Sequence, residues 1–99
     1  MKTSELIGVA LDWAVAKCEG DEPLKDGGIG LSYSTDWLSG GPIIEREMLT
    51  VGPAKHEGYM AWAWPKAAGY WGDTPLIAAM RCYVASKLGD DVEVPEELK

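Results

Sequence analysis

The stretch Thr74 to Gly89, TPLIAAMRCYVASKLG, constrains the fold more than any other part of the chain, because it carries both a helix start and a helix stop. Thr74 can accept from a free backbone N–H at the N-cap, and Pro75 suits the first helical position, where no donor is needed. Lys87 lies in the last turn and Gly89 follows it, which completes a helix from Thr74 to Leu88. Leu76, Ile77, Met80, Tyr83, Val84 and Leu88 form its apolar face. The far side, Ala78, Cys82, Ala85 and Ser86, is small and uncharged. A helix without a charged face is covered on more than one side. The large side is expected to build the core on a sheet, and the small side to receive another helix or a second subunit, so a homodimer is the expected assembly. Arg81 falls at the margin of the apolar face.

The remainder reads as the rest of one small domain, residues 1–99. A first helix is expected from Thr3 or Ser4, with Leu6, Ile7, Ala10, Trp13 and Ala14 on one face and Gly20 as its stop. GDEPLKDGGIG, residues 20–30, is turn-forming and polar. Tyr33 to Leu38 reads as the capped start of a short second helix, broken or kinked at Gly40-Gly41-Pro42. Residues 42–46 fit either a further helical turn or a strand beginning at Ile43. From about Glu47 to Val51 the pattern is strand-like, and Gly52-Pro53 with Gly58 brackets a hairpin. Tyr59 to Trp64 alternates as a strand, with Met60, Trp62 and Trp64 on a large face and Tyr59, Ala61 and Ala63 on a small one. Pro65 ends it, and residues 66–73 form a loop carrying Tyr70 and Trp71. The fold class is α+β: a short antiparallel sheet of about three strands packed by an N-terminal and a C-terminal helix, in a two- or three-layer sandwich.

Charge and composition exclude several functions. The net charge is −7, of which −4 sits in residues 90–99, DDVEVPEELK, read as an acidic, solvated C-terminal tail. General nucleic-acid binding needs a basic footprint, which this chain lacks. No apolar run is long enough to span a bilayer, and Glu5 and Asp12 interrupt the N-terminal stretch that might pass for a signal peptide. Cys18 and Cys82 lack metal-ligand spacing and only His56 accompanies them, so no metal site and no cofactor is expected; reduced thiols fit the cytosol.

No assembled catalytic constellation is visible, and the chain is read as non-enzymatic. His56 lies in a turn between Lys55 and Glu57. Ser34, Thr35 and Asp36 are explained by helix capping. Gly27, Gly28 and Gly30 lack the ending and the strand-to-helix context of a phosphate loop. Glu45 and Glu47 flank Arg46 and need no further role.

Binding is the better expectation. Five Trp and four Tyr, with no Phe at all, favour side chains that pair a large flat area with a polar edge. Trp13 and Trp62 are assigned to the core. The only two arginines, Arg46 and Arg81, stand in apolar sequence, where a guanidinium either snorkels, pairs with an acid such as Asp36 or Glu45, or holds a carboxylate or phosphate. Tyr33, Asp36, Trp37, Arg46, Trp64, Trp71 and Arg81 are therefore the candidate ligand-binding residues for a small nucleotide-like molecule, with stacking worth roughly 1–3 kcal/mol per base. The alternative is a protein–protein inhibitor or adaptor, with Tyr70-Trp71 as the anchor.

Three long segments, KTSELIGVALDWAVAKCEG, YSTDWLSGGPIIERE and DTPLIAAMRCYVASKLGDDVEVPEEL, resemble the NinX proteins of lambdoid phages and prophages. The stretch between Gly20 and Ser32 is shorter than in many members, which carry a Trp-rich insert there, and Gly52 to Trp71 departs further from the pattern. NinX is similar in turn to other small phage α/β sandwich domains. The resemblance implies an accessory phage protein acting in the host cytoplasm, and it carries over no reaction and no catalytic residue. A nucleotide-binding accessory protein of that kind would suit sequestration of a bacterial immune signal.

Overall fold

The computed structural model describes residues 1–20, 32–63 and 69–98. A 3₁₀ turn, Thr3–Glu5, precedes α1 (Gly8–Cys18); α2 (Trp37–Glu47), β1 (Leu49–Pro53), β2 (Tyr59–Ala63), β3 (Tyr70–Gly72) and α3 (Pro75–Leu88) follow, and a 3₁₀ turn at Glu96–Leu98 ends the described chain. The strands form one antiparallel sheet in the order β1-β2-β3. This is the α+β class expected, and between its N- and C-terminal helices the short, broken second helix is a full extra one.

That extra helix joins two segments that the sequence separates. The Asp36 side chain accepts from Leu38 N–H at 3.0 Å and starts α2, which then runs through Pro42 to Glu47. Proline inside a helix removes the bond to the carbonyl four residues back, clashes with it, and costs roughly 3 kcal/mol. Here that carbonyl belongs to Leu38, which is 85 % exposed, and Pro42 is exposed too, so water replaces the missing donor. Residues 42–46 are helical, and the strand begins only at Leu49.

α3 runs where expected: Thr74 Oγ1 accepts from Ile77 N–H at 3.1 Å, and Gly89 follows at φ +87°. Its packing is the reverse of the expectation. The small side lies on the sheet, and the large side faces the other helices. A Cβ on Gly72 of β3 would stand 2.4 Å from Ala78 N, so strand and helix touch backbone to backbone. Ala78, Cys82 and Ala85 are buried there, opposite the fully buried Ala61 of β2. Leu76 instead meets α2 at Gly40, where a Cβ would fall 2.7 Å from Leu76 Cδ1. Small residues face the sheet because only they permit so short an approach. The uncharged far side that pointed to a second subunit is thus covered within the chain.

α1 begins later than its capping residues predict. Thr3 is buried and its hydroxyl donates to Gly89 C=O at 2.6 Å, so it closes the end of α3 and does not cap α1. Leu6, Ala10, Leu11, Ala14 and Val15 enter the core, whereas Ile7 stays 51 % exposed. Residues 90–98 also differ from a free tail. Val92 and Val94 are buried, Val92 N–H donates to Met1 C=O at 2.9 Å, and Lys2 bridges Asp91 in an antiparallel pair. The alternation DVEV points its acids to water and its valines inward, a period of two.

Candidate functional site

The small face of β2 meets α3, which leaves the large face on the outside of the sheet. Met60 and Trp62 lie there, joined by Trp71 of β3, whose register partner is Met60. Trp62 is half-buried on this outer face and does not belong to the buried core to which it was assigned; Trp13 is half-buried against the core, with Lys17 Nζ 5.1 Å above its ring. Trp71 is 40 % exposed and its indole N–H donates to Glu57 C=O at 2.8 Å.

Arg81 stands behind Trp71 and is 7 % exposed. Its Nε donates to Leu6 C=O at 2.7 Å and its Nη1 to Trp71 C=O at 2.8 Å. Two carbonyls, one from the N-terminal segment and one from β3, fix the guanidinium plane, yet neither neutralises it. Among the described residues no carboxylate lies within ion-pair distance of Arg81. Burial pulls its pKa down, and the more distant Asp73 only partly restores it. The guanidinium forms part of the wall of a concavity of about 610 Å³, open along the edge of β3 and lined also by Lys2, Ser4, Tyr70 and Trp71. Asp90 and Asp91 complete the wall, but both already have donors. Asp90 Oδ1 accepts from the Tyr70 hydroxyl at 2.5 Å, which raises that phenol to about 12, and Asp91 Oδ1 accepts from the N-terminal ammonium at 3.2 Å. A smaller cavity of about 260 Å³, between Ala63, Cys82 and Ala85, shares Tyr70 and Asp90 with it.

Arg46 occupies a different place. Tyr83, its partner on α3, is two residues from Arg81, hence about 200° around the helix, on the opposite side. Arg46 gives Nη1 to Glu19 Oε1 at 3.0 Å, Nη2 to Glu19 Oε2 at 2.6 Å and Nε to Glu47 Oε2 at 2.9 Å. Its Nη2 also donates to the Tyr83 hydroxyl at 3.1 Å, Tyr83 donates to Glu19, and Lys87 Nζ stands 3.5 Å from Glu47. The guanidinium holds Glu19 and Glu47 below the usual carboxylate range, while burial, and then Glu19, push the Tyr83 phenol well up. This cluster ties the ends of α1 and α2 to α3 and commits all three Arg46 nitrogens to structural bonds. Cys18 beside it is driven up to about 11 by burial and by Glu19, which keeps it a thiol.

The seven candidates therefore do not share one site. Trp71 and Arg81 come together. Tyr33 is in the core at 4 % exposure, Asp36 is the α2 cap, and Trp37 lies 56 % exposed on the outer side of α2. Trp64 lies outside the described residues. Lys2, Ser4 and Tyr70 were not among the candidates. Tyr70 could have been found as the immediate neighbour of Trp71, whereas nothing local marks Lys2 and Ser4, which reach the wall through long-range contacts of the N-terminal segment with residues 89–92 and Arg81.

Among curated proteins none matches the chain. Residues 29–87 match the family described as Bacteriophage P22, NinX, a span of more than half the chain that includes α2, the sheet and most of α3; the chain belongs to this phage family.

Proposed function

We propose that this member of the NinX family is a non-enzymatic accessory protein that binds a small anionic, nucleotide-like ligand at the edge of β3. One observation carries the reading: a guanidinium fixed by two carbonyls, lacking a carboxylate partner among the described residues, in the wall of a concavity beside an exposed indole. Planar phosphate or carboxylate groups match the remaining Nη2 edge of Arg81, and Lys2 adds a second positive charge. A flat ring has Trp71 to lie against. The lining acids are bonded to Tyr70 and to the N-terminus, so they oppose an anion less than free carboxylates would. In a phage protein acting in the host cytoplasm, such a site would serve to sequester a nucleotide signal of bacterial immunity.

The test is direct. The protein is purified from a host with active nucleotide-based defences and denatured, and the released small molecules are identified by mass spectrometry. Thermal shifts are then measured with inorganic phosphate, nucleoside mono- and diphosphates, and cyclic and ADP-ribose-type nucleotides. A ligand at a hundred times Kd stabilises the fold by about 2.7 kcal/mol, and Lys2→Glu with Trp71→Ala should abolish that gain. No released ligand together with no shift across the panel would overturn the reading.

A second reading, a protein–protein inhibitor or adaptor, rests on α2. Trp37, Leu38 and, just past its end, Met48 are 56, 85 and 79 % exposed, an apolar surface turned to water. Asp36 and Glu45 are exposed beside it, so a fitting partner offers an apolar groove rimmed by lysine or arginine. Loss of biological effect in Trp37→Ala with Leu38→Ser, and its retention in the Lys2/Trp71 variant, would favour this reading over the first.

A further inference from the structure

The two edges of the sheet are treated differently, and the hydrogen-bond phase of the strands shows how. Ala54 N–H donates to Gly58 C=O across the hairpin at 3.0 Å, which directs the backbone groups of residue 54 toward β2. Alternation then turns Gly52 and Thr50 toward β2 and turns Leu49, Val51 and Pro53 away from it. Pro53, which has no N–H to offer the ladder, stands at one of the outward positions, as an edge proline must. The same alternation carried through the β2–β3 register turns Trp71 outward on the far edge, and Trp71 C=O is indeed the group that Arg81 Nη1 occupies. The β3 edge is thereby closed by a guanidinium. On β1, among the described residues, no side chain is bonded to the outward groups.

An open edge invites another strand, and natural sheets blunt such edges with charge, proline, bulges or cover. β1, LTVGP, carries no charge, and its proline stands at the last position, where it removes a donor only at the end of the edge. We propose that the β1 edge pairs with β1 of a second copy of this chain, antiparallel about a two-fold axis at Val51, to give a continuous six-stranded sheet. The strand runs from 49 to 53 and is therefore centred on Val51. In that pairing Val51 N–H donates to the Val51 C=O of the second copy and accepts the reciprocal bond, and Leu49 N–H donates to the Pro53 carbonyl of the second copy. Every outward donor of β1 is used, and the only ladder bonds missing are the two, one from each copy, that proline cannot donate. Self-complementarity about a single residue is what an isologous interface requires. Thr50 lies across from Gly52 with no charge on either side, so the acidic chains join where neither carries a carboxylate. The exposed Met48 stands at the end of the same edge, next to Ala54 of the second copy.

Sedimentation equilibrium over a wide concentration range reads the outcome. The chain should approach twice its 10.7 kDa mass as concentration rises. Val51→Pro, which removes the donor at the axis and none from the β1–β2 ladder, should hold the mass at one chain. Thr50→Lys, an exposed substitution that sets two like charges beside the axis, should do the same with an unchanged circular dichroism spectrum. Hydrogen exchange supplies a readout that needs no substitution: the Val51 amide should be unprotected in dilute protein and protected in the dimer. A single-chain mass at every concentration overturns the proposal, as does a dimer that survives both substitutions. Where the two variants disagree, Val51 amide protection decides, and rapid exchange in the dimer overturns it.

Discussion

Single side chains show how much local chemistry this chain uses for structure. Met48 ends α2 in the left-handed region at φ +54°, with 79 % of its surface exposed. Left-handed backbone is unfavourable for a residue with a Cβ by about 1 kcal/mol or more, and the exposed side chain returns little of it. Met48→Gly should therefore raise the unfolding free energy by roughly 0.5–1 kcal/mol in urea titrations, and a loss of stability would show that Met48 packs on something. The Arg46 cluster makes a prediction of opposite character. Glu19 and Glu47 are held below their ordinary range chiefly by the Arg46 hydrogen bonds, so each folded carboxyl binds its proton less readily than its unfolded counterpart. Their contribution is fully present above the unfolded value of about 4.3 and is lost as pH falls through the folded value. Stability should thus decline below about pH 4.5, and Glu19→Gln should flatten the decline while costing about 1 kcal/mol at pH 7, a figure moderated by the half-exposed Arg46. Equal acid sensitivity in the variant would place the titrating groups elsewhere.

At the scale of elements, the packing of α3 decides most of what was and was not legible in the sequence. Its start and stop depend on local chemistry, Thr74, Pro75 and Gly89, and those marks are unambiguous. Which side meets the sheet depends on the distance between layers, which no local pattern carries; Gly72 sets it by letting β3 touch Ala78. Gly72→Ala should cost roughly 1–3 kcal/mol in denaturant unfolding, because the nearest atoms, Ala78 N, Ala78 Cα and Ile77 C, are all backbone and neither layer can yield. A neutral effect would mean that β3 can shift outward freely. The β2 alternation marks its two faces correctly, but the core assignment of Trp62 fails because α3 covers the small side and leaves Met60 and Trp62 on the outside. α2 was hidden by Pro42, whose cost is met by packing such as that of Gly40 against Leu76, a fact of the fold and not of the sequence. The candidate site was legible by halves. Arg81 and Trp71 were recognisable as chemistry, but their union depends on a carbonyl–guanidinium bond, and Arg46 carried the same sequence signal while serving as a clasp.

The whole molecule is organised around one helix. α3 contacts all three strands, α1, α2 and the first 3₁₀ turn, whereas the sheet is three strands wide and its outer face bears no helix among the described residues. Val92 and Val94 join the same core from the C-terminal side, and Arg81 and Thr3 tie the first residues of the chain to the middle and the end of α3. Stability in such an arrangement is graded outward from the helix, because an element can open alone only if its contacts are few and lie with one neighbour. Native-state hydrogen exchange should find Ala79 to Val84 opening only with global unfolding, while amides of β3 and of residues 96–98 open at lower free energy. Ligand bound at the β3 edge would reverse part of that order. It joins Arg81 to Trp71 and Lys2, so protection should rise in β3 and in the N-terminal residues and stay constant in α2. If ligand instead protects α2 and leaves β3 unchanged, the binding surface is the exposed Trp37–Leu38 face, and the accessory role is carried by protein contacts.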